Sequence, residues 1–249
     1  MTPDDRYFFD INGYVVVEDV LSPDELHRLN AAIDAKNLPV PQADDPHKQR
    51  FGGYLQWDEP LFRSLLDHPR VLPYLRAILG EGFRLDHDYG IYMDQGNVGL
   101  NLHGGGMPYD PAQYYHVQNE RVYCGLVVVS WALCDVGPGD GGFCCIPGSH
   151  KANFPLPPDV RNYKAHQDWI KHVPQKAGSF LLFTEALTHG TLPWTAAHQR
   201  RSLLYKYCPG HMSWGHHPRT EEFLAPLTPQ QQRLFEPPHV YRRAKIVEG

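Results

Sequence analysis

The segment from residue 125 to residue 146 reads GLVVVSWALCDVGPGDGGFCCI. It contains two apolar runs, each short enough for a single strand, separated by a turn rich in glycine, proline and aspartate. Further short apolar or alternating runs lie on both sides, at 83–85, 90–93, 179–183 and 202–207. Short runs separated by turn residues are typical of antiparallel strands in a sandwich or barrel, so the sequence predicts a mainly β fold.

The N-terminal third of the chain carries the helical signals. Gly13–Val17 is a short β-branched strand, and it is followed by Ser22, Pro23 and Glu25, which match the N-cap, first position and capping box of a helix. Apolar residues at helical spacing extend this predicted helix to about residue 35. A leucine-rich stretch at 60–79 is interrupted by prolines, which predicts two short helices. We expect these helices to flank the β structure.

Length and composition narrow the class of protein. At 249 residues, with no linker-like stretch, the sequence predicts a single domain over residues 1–249. The formal net charge is -5, and basic and acidic residues are interspersed, so no basic face is available for a nucleic-acid polymer. The N-terminus lacks the pattern of a signal peptide, and no apolar run is long enough to span a bilayer. We therefore expect a cytoplasmic protein with a small-molecule substrate and no membrane partner.

The cysteine and histidine contents direct the search for a metal site. None of the 5 cysteines belongs to a Cys-x-x-Cys pair, so neither a disulfide framework nor a structural zinc site is predicted. The 15 histidines are the better source of ligands, although most protein histidines bind no metal. Mononuclear iron that activates oxygen is usually held by two histidines and one carboxylate, which sets the pattern to look for.

Five short motifs follow one another in the second half of the chain: DGGF at 140–143, PGSHK at 147–151, AGSF at 177–180, THGT at 188–191 and RRS at 200–202. In order and spacing, the chain from Gly13 to Tyr207 resembles the phytanoyl-CoA dioxygenase family of iron(II)/2-oxoglutarate oxygenases. The resemblance implies a double-stranded β-helix, that is, a jelly-roll or cupin-like barrel with flanking N-terminal helices. It also implies iron(II), 2-oxoglutarate and O2 as cofactors.

The resemblance assigns roles to several residues of these motifs. His189 corresponds to the distal iron ligand, and Thr191 and Arg200 correspond to contacts of 2-oxoglutarate. Arg201 is the weaker candidate for the carboxylate clamp, since strand alternation turns only one of two adjacent side chains inward. His150, in the Pro-Gly-Ser-His turn, is expected to be structural.

His103 is the best candidate for the proximal iron ligand, because it precedes the Pro-Gly-Ser-His turn at the distance that the family implies. The family normally places an aspartate two residues later, where this chain has Gly105. Relatives with a small residue there resemble halogenases, in which the missing carboxylate leaves a metal position open for chloride. The leading prediction is therefore a halogenase that chlorinates an unactivated carbon of a free small molecule, with chloride as a further cofactor and a nucleotide or nucleoside as the preferred substrate.

Two alternatives remain open. The chain is a hydroxylase if Asp168, Asp140, Asp110 or the substrate itself supplies the third ligand, and it is a non-catalytic binding protein if the barrel has lost its chemistry. His166 and Asp168 form a second His-x-Asp pattern, but this pair follows the Pro-Gly-Ser-His turn and leaves too little chain before His189 for the intervening strands.

Five aromatic residues lie near the predicted site in sequence. Either they line a substrate pocket or they pack in the core, and the sequence does not distinguish these roles. They are Tyr114, Tyr115, Tyr123, Trp131 and Trp194.

Overall fold

The apolar run in the middle of the sequence forms a strand with every side chain buried in the computed structural model, which describes residues 1–248. A strand buried on both faces lies between two packed layers. The strands are β1 (Tyr14–Val17), β2 (Arg50–Phe51), β3 (Arg84–Met93), β4 (Leu100–His103), β5 (Tyr115–Gln118), β6 (Arg121–Cys124), β7 (Val127–Ala132), β8 (Gly142–Cys145), β9 (Lys171–His172), β10 (Phe180–Thr184), β11 (His189–Leu192) and β12 (Arg200–Cys208).

The strands form two antiparallel sheets that face each other. The larger sheet has the order β1-β10-β7-β12-β3-β2 and the smaller one the order β4-β11-β8-β9, while β5 and β6 form a separate hairpin. An apolar cluster fills the space between the sheets, with Val128 and Leu204 from the larger sheet and Phe143 and Cys145 from the smaller one. The prediction of a mainly β jelly-roll fold with flanking helices is confirmed.

The α-helices pack mainly outside the larger sheet. Residues from α2, α3 and α4 share one apolar cluster with outward-facing side chains of β7 and β12. The helices are α1 (Pro3–Asn12), α2 (Pro23–Asp34), α3 (Leu61–Ser64), α4 (Leu72–Leu79), α5 (Pro158–Arg161), α6 (Glu221–Leu224) and α7 (Pro229–Arg233). Within residues 1–248, none of these helices has the length and apolar character needed to cross a membrane.

The predicted helix starts agree with the structure, while some strand limits do not. The Ser22 hydroxyl and the Glu25 carboxylate form the predicted capping box of α2. The stretch at 60–79 forms α3 and α4, joined by a 3-10 turn. The two runs predicted at 83–85 and 90–93 are one continuous strand, β3, because the polar residues between them face the barrel and its rim rather than a turn. Helix α1 was not predicted, although Thr2 and Asp5 cap it in the same way.

Candidate metal and cosubstrate site

Two predicted iron ligands lie side by side on paired strands of the smaller sheet. His103 ends β4 and His189 begins β11, and the two residues are register partners. Their ring centroids are 4.3 Å apart. Both rings line a small cavity between the two sheets, so chain folding brings together two histidines that are far apart in sequence.

Each histidine is held in the orientation and tautomer that a metal ligand requires. The Nδ1–H of His189 donates to the carbonyl oxygen of Leu187 at 2.7 Å, and the Nδ1–H of His103 donates to that of Asn101 at 2.9 Å. A carbonyl oxygen only accepts, so Nε2 of each ring carries the free lone pair. Burial, together with the charge of His103, lowers the pKa of His189 to about 3, and burial lowers the pKa of His103. Both rings are therefore neutral near pH 7.

The backbone conformation at positions 104 and 105, directly after His103, favours glycine. Gly104 has φ +75°, and a Cβ there would lie 2.6 Å from the carbonyl oxygen of Glu185. Gly105 has φ +92°, and a Cβ there would lie 3.2 Å from the Thr188 hydroxyl. Side chains are disfavoured at such φ values, so the aspartate of the family pattern does not fit this backbone without strain.

A carboxylate that the sequence predictions missed lies beside the two histidines. Glu185 lines the same cavity, and its Oε2 is 3.8 Å from Nε2 of His189. The residue directly follows strand β10 and precedes His189 by four positions. The available signal was a glutamate two positions after the apolar run 180–183, since such a position is normally buried and an unpaired buried carboxylate is costly.

Glu185 is ionised because a buried lysine faces it. Nζ of Lys206 donates to Oε1 of Glu185 at 2.7 Å, and both side chains are buried. Burial alone would raise the pKa of Glu185, but Lys206 and then His189 reverse that effect and hold the pKa at about 2. One oxygen of the carboxylate therefore binds Lys206, and the other lies towards the histidines. The three side chains are neighbours, but their candidate ligand atoms do not all lie within 4.8 Å of one another.

The two adjacent arginines of β12 have different surroundings. The guanidinium of Arg201 faces outward and donates to Asp34 at 2.6 Å and to Gln199 at 2.7 Å. Arg200 is 4% exposed and lines the cavity, and its Nε has no hydrogen-bond partner within residues 1–248. Its Nη1 donates only to the weak acceptor Sδ of Met93, at 3.3 Å. A buried guanidinium that is so poorly satisfied is costly, so its surroundings fit an anionic ligand. Thr191 of β11 lines the same cavity.

These observations fit iron(II) and 2-oxoglutarate. Two neutral imidazoles with free Nε2 atoms and a nearby carboxylate are the donor types that oxygen-activating iron uses. Arg200, which has no acidic partner within residues 1–248, suits a carboxylate such as the distal one of 2-oxoglutarate, because a planar guanidinium can bind it with two hydrogen bonds. The lining of the cavity thus combines metal-donor side chains with a buried cation suited to a carboxylate.

The alternative third ligands lie outside this cavity. His166 stacks on Trp169 in an exposed turn, with ring centroids 4.0 Å apart, and the adjacent Asp168 is also exposed. Asp140 accepts from the backbone N–H of Gly137 at 2.6 Å. Asp110 accepts from the backbone N–H of Ala112 at 2.7 Å. The proposal that any of these aspartates completes the iron site therefore has no support in the folded chain.

The other residues singled out by sequence have packing roles. His150 is buried, its Nε2–H donates to the carbonyl oxygen of Asp10 at 3.0 Å, and its ring lies edge-on to Tyr115. Trp131 and Trp194 are fully buried in apolar clusters. Neither these tryptophans nor the three tyrosines of the sequence prediction line the cavity of His103 and His189.

The family model for phytanoyl-CoA dioxygenase (PhyH) matches residues 9–202. This match covers both candidate histidines, Glu185 and Arg200, and it accounts for more than half of the chain. No curated protein sequence matches the chain.

Several solved structures have the same fold. HygX from Streptomyces hygroscopicus, with nickel, 2-oxoglutarate and hygromycin B bound, has a TM-score of 0.74 and 26% identity, covering 90% of this chain and 94% of that one. The non-heme alpha ketoglutarate dependent carbocyclase SnoK from nogalamycin biosynthesis has a TM-score of 0.65 and 19% identity, with 92% of each chain covered. EctD from S. alaskensis, with 2-oxoglutarate and 5-hydroxyectoine, has a TM-score of 0.62 and 20% identity, covering 84% and 77%.

Proposed function

Because this chain belongs to the phytanoyl-CoA dioxygenase family, we propose that it hydroxylates a carbon of a small-molecule metabolite, with His103, His189 and Glu185 holding the iron. As a member of that family it is an iron(II)- and 2-oxoglutarate-dependent oxidoreductase. The observation that carries the proposal is the buried, ionised Glu185 carboxylate beside His189. When bound, iron and 2-oxoglutarate supply the oxygen activation that attack on a C–H bond requires.

The chain's own residues prepare the cavity for this chemistry. The backbone carbonyls of Leu187 and Asn101 fix the rings of His189 and His103 with Nε2 free. Arg200, whose Nε has no hydrogen-bond partner within residues 1–248, offers its guanidinium to the distal carboxylate of 2-oxoglutarate. The enclosing apolar side chains exclude water, which strengthens each of these electrostatic contacts. HygX was solved with hygromycin B bound, which supports a small molecule as substrate.

A second candidate function is chlorination, and Gly105 is the observation that favours it. In that case Glu185 remains an ion-pair partner of Lys206, and chloride takes the metal position that a carboxylate would otherwise occupy. The positive φ of Gly105 explains by itself why a glycine stands at this position, so the glycine is weak evidence for chlorination. Hydroxylation is therefore the stronger proposal. A nucleotide or nucleoside as the substrate remains a prediction from the sequence alone.

Binding of 2-oxoglutarate tests the proposed function without a known substrate. Calorimetry should show tight 2-oxoglutarate binding only when iron(II) or cobalt(II) is present. With iron(II), oxygen should also drive slow substrate-free conversion of 2-oxoglutarate to succinate and CO2. Arg200→Gln should weaken 2-oxoglutarate binding about 30-fold or more, because a buried charge pair is lost. The matched variant Arg201→Gln should leave binding nearly unchanged. Metal-independent binding, or equal effects of the two variants, would contradict the proposal.

Chloride distinguishes the two candidate functions. We expect the absorption spectrum of the cobalt(II)/2-oxoglutarate enzyme to be insensitive to added chloride if Glu185 is a ligand. A saturable spectral change with chloride would favour chlorination. Once a substrate is found, mass spectrometry of a single turnover at high chloride should detect hydroxylated product alone.

A further inference from the structure

A second arginine, Arg50, lies at the open side of the iron cavity. It belongs to strand β2, opposite Ile91 of β3, and both residues line the cavity. Its guanidinium lies over the ring of Tyr89, 4.8 Å from the centroid. Arg50 and Arg200 are on strands separated by β3, so their backbones are roughly 10 Å apart. The two arginines therefore belong to different parts of the cavity wall.

Arg50 resembles Arg200 in lacking, among the described residues, the acidic partner that other arginines near the larger sheet have. Arg84 is paired with Asp86, Arg201 with Asp34 and Arg219 with Asp88. Within residues 1–248, the side chain of Arg50 forms neither a salt bridge nor a hydrogen bond. Its charge reaches the site, because Arg50 lines the same cavity as His103 and His189.

The charged groups of the cavity are unbalanced. Three cationic side chains, Arg50, Arg200 and Lys206, line it together with a single carboxylate, that of Glu185. The dication iron(II) and the dianion 2-oxoglutarate cancel each other, so their joint binding leaves the positive excess in place. Arg200 is the buried cation that fits 2-oxoglutarate, and Lys206 is paired with Glu185. Arg50 is the cation that remains for a further ligand.

We propose that Arg50 binds an anionic group, a carboxylate or a phosphate, of the substrate that the iron site oxidises. This inference rests on the proposed function. A planar guanidinium suits either group through two parallel hydrogen bonds, and the contact with the Tyr89 ring helps to hold it in place. The substrate is thus a small acid or phosphate ester whose charged end lies at the cavity mouth and whose reacting carbon points inward.

Nuclear relaxation tests this assignment with simple anions as probes. The enzyme is loaded with cobalt(II) and saturating 2-oxoglutarate, and the 31P relaxation of inorganic phosphate and the methyl 1H relaxation of acetate are measured. The zinc(II) enzyme gives the diamagnetic baseline. We expect paramagnetic enhancement for at least one anion, and the anion that responds identifies phosphate or carboxylate as the favoured group. Arg50→Gln should reduce anion affinity at least about fivefold.

A matched arginine variant shows whether the effect is specific to Arg50. Arg121 also lies over a tyrosine ring, that of Tyr123, but it is remote from the iron cavity, so Arg121→Gln should retain the enhancement. Undiminished enhancement in Arg50→Gln, equal loss in both variants, or none in the wild type would overturn the inference. A weaker affinity for 2-oxoglutarate in Arg50→Gln would overturn it too, by assigning the residue to the cosubstrate. Failure to bind cobalt(II) and 2-oxoglutarate at all would overturn the proposed function and this inference with it.

Discussion

Two clusters in the described part of the molecule combine histidine with a carboxylate, and they differ in how many hydrogen bonds the carboxylate oxygens already accept. The iron-cavity cluster consists of His103, His189 and Glu185. The rim cluster consists of Asp86, His87 and His217, and its candidate ligand atoms all lie within 4.8 Å of one another. By distance alone, the rim cluster is the better metal site. Hydrogen bonding reverses that order.

The carboxylate of the rim cluster is already saturated. Its Oδ2 accepts from the backbone N–H of Trp214 at 2.8 Å and from the Ser213 hydroxyl at 3.2 Å. Its Oδ1 accepts from Nδ1 of His87 at 2.7 Å. Asp86 therefore anchors the loop after β12 and orients His87, and a metal would have to displace these bonds.

The carboxylate of the iron-cavity cluster has a single side-chain hydrogen bond, from Lys206 to Oε1. Its Oε2 and the Nε2 atoms of both histidines are not used by protein donors among residues 1–248. Unsatisfied lone pairs, rather than short distances between candidate ligand atoms, therefore distinguish the proposed metal site from the rim cluster.

The largest expected effect is that of Glu185→Gln. Loss of a charged ligand should weaken cobalt(II) binding by at least about 100-fold, since even the loss of a residue that only supports a metal ligand can cost that much. Calorimetry with cobalt(II) measures it. Glutamine keeps the size of the side chain, and circular dichroism checks that the fold is retained. Unchanged cobalt(II) affinity would mean that the free lone pairs of Glu185 do not account for a difference in metal binding between the two clusters.

Lys206→Met should act in the opposite direction. In the metal-free protein it leaves Glu185 buried without a cationic partner, which should lower the free energy of unfolding by about 3 kcal/mol. A metal ion would then replace the missing cation, so cobalt(II) should bind about tenfold tighter, and urea unfolding with and without cobalt(II) measures both quantities. Weaker cobalt binding by this variant would contradict the proposed place of Glu185.

Asp86→Asn should change stability and leave metal binding alone. We expect the free energy of unfolding to fall by about 1–3 kcal/mol, because charge-assisted bonds to the 213–215 loop are weakened. Although burial opposes it, the hydrogen bond from His87 keeps the pKa of Asp86 below its ordinary value. This contribution is present above the ordinary aspartate pKa and is lost as pH falls through the lower folded-state pKa. Urea unfolding of the wild type and Asp86→Asn should show a difference in the free energy of unfolding that is smaller at acidic than at neutral pH.

The smallest expected effect is that of His217→Ala. The rim cluster is not expected to hold metal, so cobalt(II) affinity and stoichiometry should equal those of the wild type. Calorimetry on the same samples as Glu185→Gln provides the matched comparison. A reduced stoichiometry would identify the rim cluster as a second metal site.

Local patterns in the sequence predicted much of the fold. The short apolar runs and the Ser22 capping box depend on neighbouring residues, and the corresponding strands and α2 follow them. The register of β12 determines that Arg200 rather than Arg201 points inward, and the sequence alone did not specify that register. The sequence predicted no element after residue 220, yet Phe223, Leu234 and Ile246 belong to the apolar cluster outside the larger sheet.

Glu185 could not be assigned from the sequence because its environment is made by distant parts of the chain. Its ion-pair partner lies on β12, and its neighbour His103 ends β4. The family pattern directed attention to residue 105, where the backbone conformation favours glycine for steric reasons. The prediction of a halogenase followed from that one position, and the folded cavity supplies a carboxylate that the pattern does not contain.

A crystal structure with cobalt(II), 2-oxoglutarate and bromide would show directly whether Glu185 or a halide completes the metal site. Anomalous scattering locates the metal and any bromide separately. We predict that His103, His189 and Glu185 bind the metal and that no bromide lies on it. Bromide bound to the metal, with Glu185 still paired only to Lys206, would contradict hydroxylation as the proposed function and support halogenation.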